Sequence, residues 1–122
     1  MKRFIGLLLI LPSISHAEVI EEWECKDWTG NWNNIIVRAF VNEGRLSGRI
    51  EVAGVGHKTE YAVNGFNRRW DFGLAEDQTY NYAFIVEPNG NASYYDFTRE
   101  SKAKASMHLK CREAPNRVAR GL

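Results

Sequence analysis

Eight short antiparallel strands closed into an up-and-down barrel are the architecture this sequence predicts, and three observations carry it. Apolar and polar residues alternate at period two along most of the chain, and no stretch longer than a few residues has helical spacing. Turn dipeptides interrupt the alternation at short intervals. Two cysteines, Cys25 and Cys111, fall in the first and last strands, both in phase with the rows that point inward. In a closed eight-stranded meander those two strands are neighbours, so one disulfide joins them and no sheet edge is left exposed. The class is therefore all-β, with a two-sheet β-sandwich of the same strands as the alternative.

The elements follow in chain order. Residues 1–17 read as a secretory signal peptide, cleaved before Glu18. Lys2 and Arg3 precede the apolar run "FIGLLLIL", Pro12 breaks it, and Ser15 and Ala17 are the small residues before the cut. The run is too short to serve as a membrane-spanning anchor. Residues 18–112 form one β-barrel domain, and the polar stretch 113–122, with Pro115 and Gly121, is expected to be a flexible tail. The first strand, about Val19 to Asp27, places Val19, Trp23 and Cys25 on one side. A turn at Glu43-Gly44 then sets Val41 opposite Leu46, Ala39 opposite Gly48, Val37 opposite Ile50 and Ile35 opposite Val52. Its other face opposes Arg38 to Arg49, a like-charge pair that needs an acid nearby.

Asn64-Gly65 is the strongest two-residue hairpin signal. Taken as the turn centre, it opposes Val63 to Phe66, Tyr61 to Arg68 and Thr59 to Trp70, with Glu60–Arg69 and Lys58–Asp71 charge pairs outside. "PNGN", with Asn89-Gly90 central, sets Phe84 against Tyr95, Tyr82 against Phe97 and Tyr80 against Arg99. The final strand, about Ala103 to Cys111, alternates Ala105, Met107, Leu109 and Cys111 with polar residues. With Trp23, Phe66, Trp70, Phe72, Tyr80, Tyr82, Phe84, Tyr95 and Phe97 all inward, the barrel is expected to be nearly filled, with room at most for a shallow pocket at one mouth.

Charge excludes several partners. Without Lys2 and Arg3, 14 basic residues face 15 acids, a net charge of about −1, which is no footprint for nucleic acid or an anionic membrane. In an oxidising compartment the cysteine pair reads as a disulfide, and with His57 and His108 the only histidines after the leader, no metal site is expected. No Ser/His/Asp or Cys/His set is present, so no enzyme and no cofactor is expected. "WDFG" holds a kinase tripeptide without the rest of a kinase.

Three places are candidates for binding. Arg68, in step with Phe66, Trp70 and Phe72, is either an arginine stacking on rings at a barrel mouth or a fixed cation for a carboxylate or phosphate. Trp28 and Trp32 flank the turn "TGN" and are either lids on the core or contact residues. Ile36 and Phe40, on an outer face near Arg38 and Arg49, mark a partner or self-association surface. His57, in the glycine-bracketed "AGVGHKTEY", is a further candidate, read as a solvated loop residue; Gly54 and Gly56 are turn residues there.

In size, leader and terminus-joining disulfide the chain resembles periplasmic inhibitors of c-type lysozyme. The resemblance covers architecture alone: those inhibitors carry a Ser-Gly-x-x-Tyr loop, from which "GHKTEY" departs, and no residue is carried over from them. The expectation is an exported protein, periplasmic or secreted, that recognises another protein in the envelope or outside the cell, as an inhibitor or immunity-type neutraliser. A small-ligand-binding barrel using the mouth near Arg68 and Trp70, or an accessory subunit of an envelope assembly using the Ile36/Phe40 face, are the rivals.

Overall fold

A computed structural model describes residues 17–99 and 104–114. Among them the chain forms eight strands: β1 (Glu18–Lys26), β2 (Ile35–Asn42), β3 (Arg45–Val52), β4 (Val55–Asn64), β5 (Asn67–Leu74), β6 (Tyr80–Val86), β7 (Asn91–Asp96) and β8 (Met107–Glu113). Each pairs antiparallel with the next, and β8 returns to β1, closing the barrel. Residues 1–16, which hold the expected leader apart from Ala17, and residues 115–122 of the expected tail lie outside the described residues. Ala103, the expected start of the last strand, does too, and that strand begins at Met107. It runs on through Glu113, and the Ala114 amide still donates to the Glu22 carbonyl at 2.9 Å.

The seam between β1 and β8 matches expectation. Cys25 stands directly opposite Cys111, and the two are joined as a disulfide across 86 positions of sequence. The β2–β3 register is also the one read from Glu43-Gly44, with Val37 opposite Ile50 and Arg38 opposite Arg49. The like charges are resolved by acids: Arg38 bonds Glu51 at 2.6 Å and lies 3.5 Å from Glu22, while Arg49 turns across Gly56.

Two hairpins differ from the expected pairing. At the β4–β5 turn, Gly65 takes positive φ at the first central position and Phe66 takes the second, so Asn64 pairs with Asn67. Every pair slides by two residues. Tyr61 meets Trp70, Val63 meets Arg68, and Phe66 stands 81% exposed at the hairpin tip instead of in the inward row. An even slide keeps both faces. It does break the expected Glu60–Arg69 pair, and Arg69 bonds Asp71 on its own strand instead, at 2.9 Å.

The β6–β7 change is larger. Pro88, Asn89 and Gly90 form a three-residue loop in which the Glu87 amide donates to the Asn91 carbonyl and Gly90 adopts φ +92°. An odd loop shifts the register by one, which exchanges the faces of β7. Tyr94 and Ala92 therefore point inward, opposite Phe84 and Val86, while Tyr95 and Phe97 line the outer wall with Ile85. Tyr80 also leaves the interior and sits beside Glu60.

The core gathers on the inward rows. Trp70, Phe84, Ile50, Val37, Val86 and Cys25 are its largest fully buried side chains. Trp70 fits because Gly48 faces it: a Cβ there would lie 2.6 Å from the indole and 2.4 Å from Thr59 Oγ1. Its Nε1 donates to the Arg38 carbonyl at 2.9 Å. Outward positions carry Glu24, Glu51, Lys58, Glu60, Asp71, His108, Lys110 and Arg112, a wall suited to water and unlike the apolar band of a lipid-facing barrel.

Gly48→Ala is expected to cost about 1–3 kcal/mol by overpacking against the indole, read as a lower urea midpoint with an unchanged slope. Replacing both cysteines with serine removes a long-loop crosslink. The expected loss is about 4–5 kcal/mol in the same measurement.

Candidate functional site

Strand direction sorts the barrel into two ends. The links after β1, β3, β5 and β7 share a near end; the chain's entry at Glu18, its exit at Glu113 and the other turns share a far end. The two ends are built differently.

The far end is closed by charge. Arg68, inward on β5, donates through Nε to both oxygens of Glu21 at 2.9 and 3.1 Å, and through Nη1 to the Phe66 carbonyl at 2.7 Å. Its guanidinium lies 5.9 Å from the Trp23 ring centre, and Trp23 Nε1 donates to the same Glu21 carboxylate at 3.0 Å. The hydrogen bond that Arg68 donates to Glu21 raises the Arg68 pKa further. Burial, with the Glu21 charge behind it, raises that of Tyr61. Arg68 thus crosslinks β1 to β5 through Nε and ties back to its own hairpin through Nη1.

The near end is open. A cavity of about 470 Å³ opens at this mouth, larger than the shallow pocket expected from sequence, while Ile50, Phe84 and Trp70 beneath it stay fully buried. Turning Tyr95 and Phe97 outward removed two of the rings that were to fill it. Ile50 and Phe84 line its depth, with the fully buried Trp70 behind them as the register partner of both Tyr61 and Phe84. Ile35, Val52, Met107 and Leu109 supply an aliphatic wall.

The opposite wall is a belt of rings. His57 stacks on Phe72 with centroids 5.9 Å apart, Phe72 meets Tyr82 at 5.2 Å, and Tyr82 meets Tyr94 at 6.3 Å with planes 12° apart. Asp96, the register partner of Tyr82, reaches the lip. Its Oδ1 accepts from the Thr98 amide at 3.0 Å and the Thr98 hydroxyl at 2.5 Å. Burial first, then the Asp96 charge, raises the pKa of Tyr94, which stays a neutral hydroxyl donor.

Trp28 overhangs this mouth at 74% exposure. Its loop is organised by Asp27, whose Oδ1 accepts from the Thr29 amide, the Thr29 hydroxyl and the Asn31 amide at 2.6–2.9 Å, while Oδ2 accepts from Asn34 Nδ2 at 2.7 Å. The Thr29 hydroxyl is the main cause that pulls the Asp27 pKa from 3.8 to about 2, with Asn31 and Asn34 adding to it against the effect of burial.

The candidate residues thus separate. Trp28 and His57 meet at the cup, and His57 belongs to strand β4 instead of a loop; Gly54 is a turn residue there, but Gly56 is within the strand. Trp70 closes the space behind the cup, and Arg68 plugs the other end. Trp32 lies on the outer wall with Arg112 4.3 Å and Lys26 5.2 Å from its ring centre. Ile36 and Phe40 are half-buried on the outside of β2, flanking Arg38 and its ion pairs. Sequence reading missed Tyr94 and Asp96 as cup residues and Asp27 as loop organiser. The available signals were the odd-length "PNG" loop and the Asp-x-Thr spacing at Asp27 and again at Asp96, each a side-chain-closed turn.

Compared with family models, curated proteins and solved structures, the chain matches none.

Asp27→Asn is expected to loosen the Trp28 loop. A depressed carboxylate pKa stabilises the fold above about pH 3.8, and that contribution is lost as pH falls through about 2. The stabilities of wild type and variant should therefore differ at neutral pH and converge toward pH 2, read by urea melts across that range.

Proposed function

We propose that this is an exported binding protein whose working part is the open cup, and that it takes one small, mainly apolar molecule. The observation that carries this reading is the cavity of about 470 Å³ at the near end. Its volume lies within the roughly 300–1,000 Å³ usual for small-ligand sites, and its make-up follows the same pattern: hydrophobic and aromatic walls with few polar groups. A closed, disulfide-joined barrel holds those walls in place, so little conformational freedom is lost on binding. The disulfide is compatible with an oxidising compartment outside the cytoplasm, and the leader-like first 17 residues support export.

A second reading keeps the same mouth but gives it a protein partner, as an inhibitor or neutraliser of a secreted or envelope enzyme. It is favoured by Trp28, a large ring left 74% exposed on an ordered loop, since tryptophans of this kind are frequent anchors in protein interfaces. In that case a partner side chain fills the cup and Trp28 packs beside it.

The test is titration of the oxidised mature chain with N-phenyl-1-naphthylamine, a neutral dye that brightens in apolar sites. One saturable site is expected. Met107→Trp, which fills the mouth, should abolish the signal while leaving the circular dichroism unchanged. Dye binding indifferent to Met107→Trp would place the site elsewhere and remove the support for this reading.

A further inference from the structure

We infer that the cup selects organic cations: a protonated amine or quaternary ammonium group carried on an apolar body. The inference rests on the ligand-binding reading above and adds the charge of the ligand to it.

The first argument is the balance of charge around the space. Among the described residues Asp96 is the only carboxylate lining the cup, and no lysine or arginine lines it. Arg99 is the nearby basic residue that acts on Tyr94, but it is not among the lining residues. Arg68, the cation that might have drawn an acid into this barrel, is held at the far end by both oxygens of Glu21. Among the described lining residues an anionic ligand would meet a carboxylate and no lysine or arginine; a cation would meet its counter-charge.

The second argument is the state of that carboxylate. Both local donors, the Thr98 amide and hydroxyl, go to Oδ1. Among the described residues Oδ2 accepts no hydrogen bond. The pair of Thr98 bonds also fixes the orientation of the group, leaving little freedom to be lost when a ligand arrives.

The third argument is the belt of rings. His57, Phe72, Tyr82 and Tyr94 run side by side along one wall, ending at Asp96, and Trp28 stands over the opening. Aromatic rings attract cations through their quadrupoles, and clustered rings around a carboxylate are a chemistry that recognises alkylated ammonium groups. The aliphatic wall of Ile35, Val52, Met107 and Leu109 offers nothing to a charge and suits the apolar body. The two halves of the cup thus fit two halves of one amphipathic molecule.

Three probes test this by calorimetric or fluorescence titration of the oxidised mature chain: benzyltrimethylammonium, its uncharged carbon isostere neopentylbenzene, and phenylacetate, which carries an anion on the same benzyl group. The cation is expected to bind about tenfold more tightly than the neutral isostere, with the anion weakest. Asp96→Asn, whose side-chain oxygen can still accept both Thr98 bonds, should remove most of that preference, weakening the cation several-fold more than neopentylbenzene. Tyr94→Leu should weaken the cation more than the isostere. Equal binding of cation and isostere, or an equal loss of both in Asp96→Asn, would overturn the charge assignment while leaving the cup a ligand site. Failure of all three probes, together with failure of the neutral dye, would overturn the ligand reading itself.

Discussion

Trp70 can occupy the middle of this barrel only because Gly48 presents bare backbone to it. Any side chain at position 48 would collide with the indole. With the indole in place, its N–H finds the Arg38 carbonyl, so a strand across the lumen is tied to β5 without leaving a buried donor unsatisfied. The rest of the interior divides around it. On one side, Trp23, Tyr61 and the Arg68–Glu21 pair complete a filled, charge-closed end. On the other, the inward rows are aliphatic or hold rings along one wall only, and space remains.

That division also explains why two similar-looking sets of residues have different fates. Arg68 and Asp96 are both charged groups in inward rows near a mouth. Arg68 meets an acid on a neighbouring wall and is spent in closing the fold. Among the described residues the Asp96 carboxylate accepts only from Thr98, two residues on, by two bonds to one oxygen. The outer wall disposes of its charges differently again: Arg38 with Glu51, Arg69 with Asp71, and Arg112 with Glu24 are exposed or half-exposed pairs. Pairs of this kind contribute little each to stability. They keep the wall soluble while the interior sets the shape.

How much of this was legible beforehand depended on the local chemistry of each turn. Period-two alternation was enough for strand number and class, and the two cysteines located the seam, because in a meander the first and last strands must meet. The β2–β3 register followed from Glu43-Gly44. At Asn64-Gly65 the strongest dipeptide signal pointed to the right hairpin but the wrong centre, since Gly65 alone accepts positive φ there and the turn moves one residue on. The slide was even, so faces survived. At "PNG" the loop has an odd number of residues, and that single difference moved Tyr95 and Phe97 outside and brought Tyr94 and Asp96 in. The cup was illegible for this reason. Its existence depends on which side of one short strand faces inward, and alternation along β7, with aromatic residues at both Tyr94 and Tyr95, does not distinguish the sides. The partner of Arg68 was equally hidden, because Glu21 lies 47 positions away and meets it only once the barrel closes.

The placement of the termini has a practical reach. Both β1 and β8 have their free ends at the far end, away from Trp28 and the ring-lined opening. Anything joined to the front or back of the domain, whether a natural extension, an affinity handle or a surface tether, leaves from the closed base. An immobilised copy would therefore present its aperture to the bulk solution whichever terminus held it down.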